Sequence, residues 1–307
     1  MLTGLHHITA IAGDARRNLA FYTDALGLRL VKRTVNFDDP FTWHLYYGDE
    51  VGRPGTLITH FPHMRAARGR HGTGEIRESV LRAPAGALGW WRDRLESRGV
   101  GVEQHTRFGR ERLAFADPDG MRIAIIEADG ASEQQGFTGA GVDAAHALTS
   151  IDRAVIHSAD AGATVAFLAD TLGFAVGPQE DDRTELTLPN GDGVEVVDDP
   201  AGEPTRMAAG IVHHVAWRVP DEATQARVAE SLRAARLAVT PVMDRQYFKS
   251  IYFRIPGGVI FEVATDGPGF QVDESRADLG SALRLPPQYE ARRAEIESRL
   301  EPLEAAG

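Results

Sequence analysis

Residues 7–30 read HITAIAGDARRNLAFYTDALGLRL, and residues 153–176 read RAVIHSADAGATVAFLADTLGFAV. In both, an alternating stretch runs into an aspartate, Asp14 or Asp160. An aromatic follows seven residues later, Phe21 or Phe167, and Leu-Gly closes the segment at Gly27 or Gly173. Alternation at period two predicts a strand. The 3.6-period stretch behind the aspartate predicts a helix, with the glycine as its stop.

Two weaker copies extend the pattern. SVLRAPAGALGWWRDRLESRGVGV (79–102) keeps the spacing, and HVAWRVPDEATQARVAESLRAARLAV (214–239) keeps the aspartate, Asp221, before a longer helix. Short strands and a turn follow each copy, with RPGT near 53, DPDG at 117, LPNGDG at 188 and IPGG at 255. The chain therefore reads as four βαβββ units over about residues 3–62, 74–129, 149–199 and 210–266. Repeats at this period mark one supersecondary unit used several times. The expected division is an N-terminal pair of units at 1–130, a Gly/Ser/Gln-rich linker at 131–148, a C-terminal pair at 149–266 and a tail at 267–307. The tail carries one expected helix around PPQYEARRAEIESRL, begun by Pro286 and Pro287.

Composition narrows the chemistry. The 307 residues hold 33 Lys plus Arg against 44 Asp plus Glu, a net charge of -11. That balance disfavours nucleic acid and anionic membrane as partners. There is no cysteine, which excludes disulfides, thiolate metal sites and cysteine nucleophiles. No basic-then-apolar leader opens the chain and no apolar run is long enough to span a bilayer, so a cytoplasmic protein is expected. No nucleotide loop or nucleophile elbow appears; GTG at 72–74 is too short for a phosphate loop.

Eleven histidines are present, yet two adjacent pairs, His6-His7 and His213-His214, fall at the same point of two repeats. Chance supplies about 0.4 such pairs in a chain of this composition. Glu262 lies between Phe261 and Val263 in an apolar strand, where a carboxylate needs a partner. Glu195 has the same surroundings.

Four βαβββ units with a His opening the first strand and a Glu on the last resemble the vicinal oxygen chelate superfamily, over about residues 3–266. The resemblance implies an α+β fold of two cup-shaped mixed-sheet barrels, the glyoxalase/extradiol dioxygenase fold. It also implies two ligand positions per unit, at the start of the first strand and on the last strand. By this count the first position is His7, Ser79, Arg153 and His214 in units one to four. Counting six residues from the turn prolines gives His60, Ala124, Glu195 and Glu262 for the second, with His60 uncertain by one residue. The implied metal set is His7, His214 and Glu262. Two imidazoles and a carboxylate leave open positions, as in non-heme Fe(II) oxygenases. Units one and four would then pair in the active cup, and units two and three in a degenerate one.

Strict alternation puts Thr9 on the face of His7 and puts His6 and His213 on the opposite face, unless a bulge at the strand start turns them. In MDRQYFKSIYFRIPGGVIFEVATD (243–266), a three-residue loop at Pro256-Gly257-Gly258 sets Tyr252 across from Glu262, whereas a two-residue loop sets Phe253 there. Arg245 precedes Tyr252 by seven residues and could reach an anionic group.

The segments GLHHITAIAGD, TWHLYYGD with RPGTLITHFP, IVHHVAWRV and DRQYFKSIYFRIPGGVIFEVATD together resemble the hydroquinone ring-cleaving dioxygenases, such as 2,6-dichlorohydroquinone 1,2-dioxygenase. That resemblance implies iron on His7, His214 and Glu262, and His6, Thr9, His213, Arg245 and Tyr252 along the substrate side. It implies Fe(II), with Mn(II) or another divalent metal as alternatives, acting with O₂ on a small hydroquinone- or catechol-type ring. A homodimer or higher homo-oligomer is the habit of the superfamily. His60 departs from the pattern and would be a fourth ligand or a pocket residue. The rival expectations are a glyoxalase-type lyase or isomerase, which needs four protein ligands, and a non-enzymatic small-molecule-binding resistance protein.

Overall fold

The computed structural model describes residues 1–64, 66–128 and 135–303. The four units are present in chain order. Unit one comprises β1 (Leu5–Ala12), α1 (Ala15–Ala20, continued by a π turn through Ala25), β2 (Arg29–Asn36), β3 (Asp39–Gly48) and β4 (Leu57–Pro62). Unit two comprises β5 (Glu75–Ala83), α2 (Leu88–Ser97), β6 (Val102–Arg107), β7 (Arg110–Ala116) and β8 (Arg122–Glu127). Unit three comprises β9 (Ser150–Ser158), α3 (Ala161–Asp170), β10 (Ala175–Glu180), β11 (Arg183–Thr187) and β12 (Gly193–Asp198). Unit four comprises β13 (Val212–Val219), α4 (Glu222–Ala234), β14 (Met243–Asp244), β15 (Lys249–Arg254) and β16 (Ile260–Thr265).

The helices start where the repeat places its aspartates. Asp14, Asp160 and Asp221 each accept a hydrogen bond from the backbone N–H three residues on, which satisfies one of the orphan donors at a helix start. Unit two has Ala87 there, with no side-chain cap.

The strands form two eight-stranded mixed sheets, ordered β14-β15-β16-β13-β1-β4-β3-β2 and β10-β11-β12-β9-β5-β8-β7-β6. Each sheet is two units joined at their first strands, β1 antiparallel to β13 and β5 antiparallel to β9. Units one and four thus share one cup, and units two and three share the other, as the positions of the histidines imply. The backs of the cups share one core. Ile8, Val215 and Trp217 from the first sheet join Leu81, Ala154 and Ile156 from the second, all buried. Burying each Ile, Leu or Val side chain of this kind contributes about 1.5–3 kcal/mol, so the sheets are held back to back. Alternation then sends the intervening residues, His7 among them, into the cups.

Strand registers relate the cups residue by residue. In the first, His7 pairs with Ala216 and Thr9 with His214, while His6 and His213 are each an extra, bulged residue. In the second, Glu78 pairs with Val155 and Val80 with Arg153, while Arg77 and Asp152 are the bulged residues. The second-cup counterpart of His7 is therefore Glu78, not Ser79 as the sequence count has it. The bulge at Arg77 adds a residue that spacing alone does not show. Arg153 does stand where His214 stands, and Glu195 pairs with Val155 as Glu262 pairs with Ala216.

The stretch at 131–134 lies outside the described residues, as do 129 and 130. From 135 to 148 the chain runs over the core and buries Val142, Ala147 and Leu148. The tail holds two short helices, α5 (Pro287–Glu290) and α6 (Arg293–Arg299), rather than one. It is fastened to unit one by the Trp43 indole N–H donating to the Glu301 carbonyl at 2.7 Å and by the Tyr289 hydroxyl donating to the Phe37 carbonyl at 2.7 Å. No helix among the described residues is long and apolar enough to cross a membrane.

Candidate metal centre

β1, β13 and β16 lie side by side, so His7, His214 and Glu262 converge although 207 residues separate the two histidines. The His7 and His214 Nε2 atoms are 3.3 Å apart, and each approaches Glu262 Oε2, at 3.4 and 3.0 Å. All three residues are buried. Neighbouring ligands around a divalent ion with bonds of about 2.1 Å stand roughly 3 Å apart, so the spacing fits.

The bulges explain how the triad is held. Each brings the first histidine of a pair beside the second instead of leaving it on the opposite face. His6 Nδ1 lies 2.9 Å from His7 Nδ1, and His213 Nδ1 lies 2.8 Å from His214 Nδ1. When the second histidine donates from Nδ1, its Nε2 carries a lone pair. Two such lone pairs and a carboxylate oxygen then face one another in a buried space, a donor set that calls for a cation. Burial pushes the Glu262 carboxyl up, but His7 and His214 outweigh it and hold the carboxyl well below its usual range. Burial likewise lowers His214 against the opposing pull of Glu262, which keeps the imidazole neutral.

The other Glu262 oxygen, Oε1, accepts from the Ser250 hydroxyl. Ser250 is two residues before Tyr252 and so on the same strand face, but nothing in the local sequence marks it. The hairpin takes the three-residue form, with Tyr252 opposite Glu262. Gly257 and Gly258 sit at φ of 93° and 90°, conformations that other residues adopt only under strain. The Tyr252 hydroxyl accepts from Arg245 Nε at 3.2 Å, and Arg245 Nη2 reaches Asp38 at 3.1 Å. Burial and the Glu262 charge push the Tyr252 phenol up, which keeps it a donor.

A cavity of about 500 Å³ opens over His7 and His214. His213, Arg245 and Tyr252 line it, with Phe37, Phe61, Phe248 and Ile260 as apolar walls. His6 and Thr9 do not reach it. His6 lies behind His7 against the Phe248 ring, 4.8 Å away. Thr9 is 2.8 Å from Thr59 Oγ1, which is 2.9 Å from His44 Nε2, whose Nδ1 is 2.9 Å from the Tyr46 hydroxyl. His44 and Tyr46 line the cavity. They lie in TWHLYYGD, but only the β3–β4 register shows that they face the triad.

Two further expectations are settled by geometry. Thr59 pairs with Thr9, two residues beyond His7, just as Glu262 pairs with Ala216, two residues beyond His214. The fourth equivalent position is thus Thr59. His60 is turned to the opposite face, packed on the Tyr22 ring at 4.4 Å, and burial lowers it to about 3. Glu195 belongs to the second cup, where it ion-pairs with Arg112 and lies 3.7 Å from Arg153.

The family model for the Glyoxalase/Bleomycin resistance protein/Dioxygenase superfamily matches residues 4–125 and 150–263. The chain belongs to this superfamily. Within the superfamily it is 40% identical to "Putative ring-cleaving dioxygenase MhqE" of Bacillus subtilis (strain 168), over 95% of this chain and 96% of that protein. It is 34% identical to the chlorohydroquinone/hydroquinone 1,2-dioxygenase of Sphingobium indicum, over 95% of this chain and 94% of that one. A crystal structure from Bacillus subtilis superimposes with a TM-score of 0.95 at 39% identity, covering 99% of this chain and 98% of its own.

Proposed function

We propose that this protein is an Fe(II)-dependent, extradiol-type ring-cleaving dioxygenase acting on a hydroquinone- or catechol-type aromatic with O₂. The observation that carries the reading is a buried His7–His214–Glu262 triad with no carboxylate at the fourth equivalent position, facing an aromatic-walled cavity. His7, His214 and Glu262 would hold the ion. When bound, the metal supplies open positions that bring a phenolic oxygen and O₂ together.

The remaining residues act on the substrate. Phe37, Phe61 and Phe248 offer apolar faces to a small ring and exclude water from it. His213, kept neutral at working pH by burial and by His214, accepts from His214 at Nδ1 and so presents its Nε2–H to the cavity, where it can donate to a substrate oxygen. Tyr252 is held as a phenol and donates to an oxygen that gains charge during cleavage. Arg245, kept protonated against its burial by Tyr252 and Asp38, stabilises the same charge. His6 orients His7 from behind, and Ser250 orients Glu262. His44 and Tyr46 line the opposite wall, and Thr59 and Thr9 hold His44 from outside the cavity through a chain of hydrogen bonds.

A four-ligand lyase or isomerase needs a donor where Thr59 stands, and a simple binder has no need of the buried triad. The deciding experiment is anaerobic loading with Fe(II), followed by hydroquinones and catechols under measured O₂. Stoichiometric O₂ uptake with loss of ring absorbance supports the proposal. Metal-loaded protein that consumes no O₂ with any of these substrates overturns it.

A further inference from the structure

The second cup keeps the architecture of the first and reverses its sign. At the positions of His7, His214 and Glu262 it carries Glu78, Arg153 and Glu195. At the position of His44 it carries Arg112, since Ala114 pairs with Ala124 as Tyr46 pairs with Thr59. Arg112 bonds Glu195 and lies 3.4 Å from Glu78. Guanidinium groups thus neutralise the carboxylates that would otherwise call for a metal ion.

Above this ion-paired floor is a cavity of about 470 Å³, within the size range of small-molecule sites. Five arginines line it against two glutamates, in a chain whose net charge is -11. Three of the arginines hold their partners loosely. Arg107 Nη1 donates to the Thr106 carbonyl at 3.2 Å and has Glu180 at 4.0 Å, Arg183 has Asp182 at 3.4 Å and Glu195 at 3.9 Å, and Arg122 pairs with the exposed Glu103 at 3.2 Å. Such exposed pairs are worth little and are readily exchanged. Arg112 is buried, and among the described residues its Nε finds no partner. His105 and His157, also in the wall, fall below the usual histidine range, through burial first and then through the surrounding guanidinium groups.

We propose that the second cup binds a small dicarboxylate. Arg107 lies on β6, an edge strand, and Arg183 lies on β11, next to the opposite edge. The curl of the sheet brings both to one cavity. Donors spread across a space of this size suit a ligand with two anionic ends, each taken by a planar guanidinium fork. A single phosphate would engage only one side.

The test is calorimetric titration of the whole protein at low ionic strength with maleate, succinate and inorganic phosphate. The expected result is one maleate or succinate per chain. Affinity should fall about tenfold or more when Arg107 and Arg183 are both replaced by Gln. The more exposed single change Arg122→Ala should weaken it in the same direction, and Arg245→Gln in the first cup should leave it unaltered. Thermal melting checks that each variant is folded. The proposal is overturned by the absence of saturable binding, by phosphate binding as tightly as the dicarboxylates, or by loss of binding in Arg245→Gln instead of the second-cup variants.

Discussion

Thr59 occupies in unit one the register position that Glu262 occupies in unit four. The first cup is therefore symmetric in backbone and asymmetric in ligands, with three donors and one hydroxyl. Replacing that hydroxyl with a carboxylate should close a coordination position. Thr59→Glu is expected to keep or tighten divalent metal binding while lowering O₂ consumption at least about a hundredfold. Metal content by mass spectrometry and O₂ uptake by electrode separate the two effects. Full activity in Thr59→Glu would show that this position does not face the reacting ligands.

His6 and His213 make matching Nδ1 contacts to the two triad histidines, yet only His213 reaches the cavity. His6→Gln should weaken metal binding roughly 10–100-fold and leave kcat of the fully loaded enzyme near its original value. His213→Gln should lower kcat even at saturating metal, because it also removes the imidazole N–H that faces the cavity. Metal titration followed by steady-state kinetics at saturating iron checks the split.

Tyr252 is expected to act on charge that develops during the reaction and to contribute little to holding iron. Tyr252→Phe should retain stoichiometric iron and lower kcat about a hundredfold, the scale of losing one oxyanion donor. KM for the aromatic should change less than kcat. An unchanged kcat would remove Tyr252 from the reaction.

His60 gives the fold a sensitivity to acid. Its folded value of about 3 lies below the 6.5 of an unfolded histidine, so between these values the unfolded chain binds the extra proton. Stability is then complete above pH 6.5 and lost as the pH falls toward 3. Asp117, 4.0 Å away, is raised to about 6 by burial and works the other way, losing stability as the pH rises through 6. His60→Met should remove the first effect and keep the second. Denaturant unfolding from pH 6.5 down to pH 4 should show a shallower loss than the native protein, by up to about 1.4 kcal/mol per pH unit. Identical slopes would mean that His60 is hydrated.

The features legible in the sequence were those that depend on repeat position. The aspartate caps, the four units and the union of units one and four all follow from where Asp14, Asp160, His7 and His214 fall. The hairpin register that places Tyr252 opposite Glu262 was one of two stated forms, and two consecutive glycines fit it. What escaped was set by single-residue irregularities and by pairing across distant strands. The bulge at Arg77 moved the ligand-equivalent position from Ser79 to Glu78, and a one-residue offset exchanged His60 for Thr59. The resemblance puts His6 and Thr9 on the substrate side, but neither lines the cavity: His6 packs behind His7, and Thr9 bonds Thr59 outside the wall. His44, Tyr46 and Ser250 carry no local signal of their own, because the β3–β4 and β15–β16 ladders alone bring them to the triad.

The joining of β1 to β13 bears on how the protein is made. During synthesis His7 emerges roughly 250 residues ahead of Glu262, a delay on the order of 10–50 s at ordinary translation speed. Units two and three are contiguous in the chain and can complete their cup in that interval. Unit one meanwhile waits with the β1 edge unpaired, the kind of surface that recruits other strands. The nascent chain therefore passes through a half-built stage in which His7 has neither His214 nor Glu262 beside it and an unpaired edge is open to other strands.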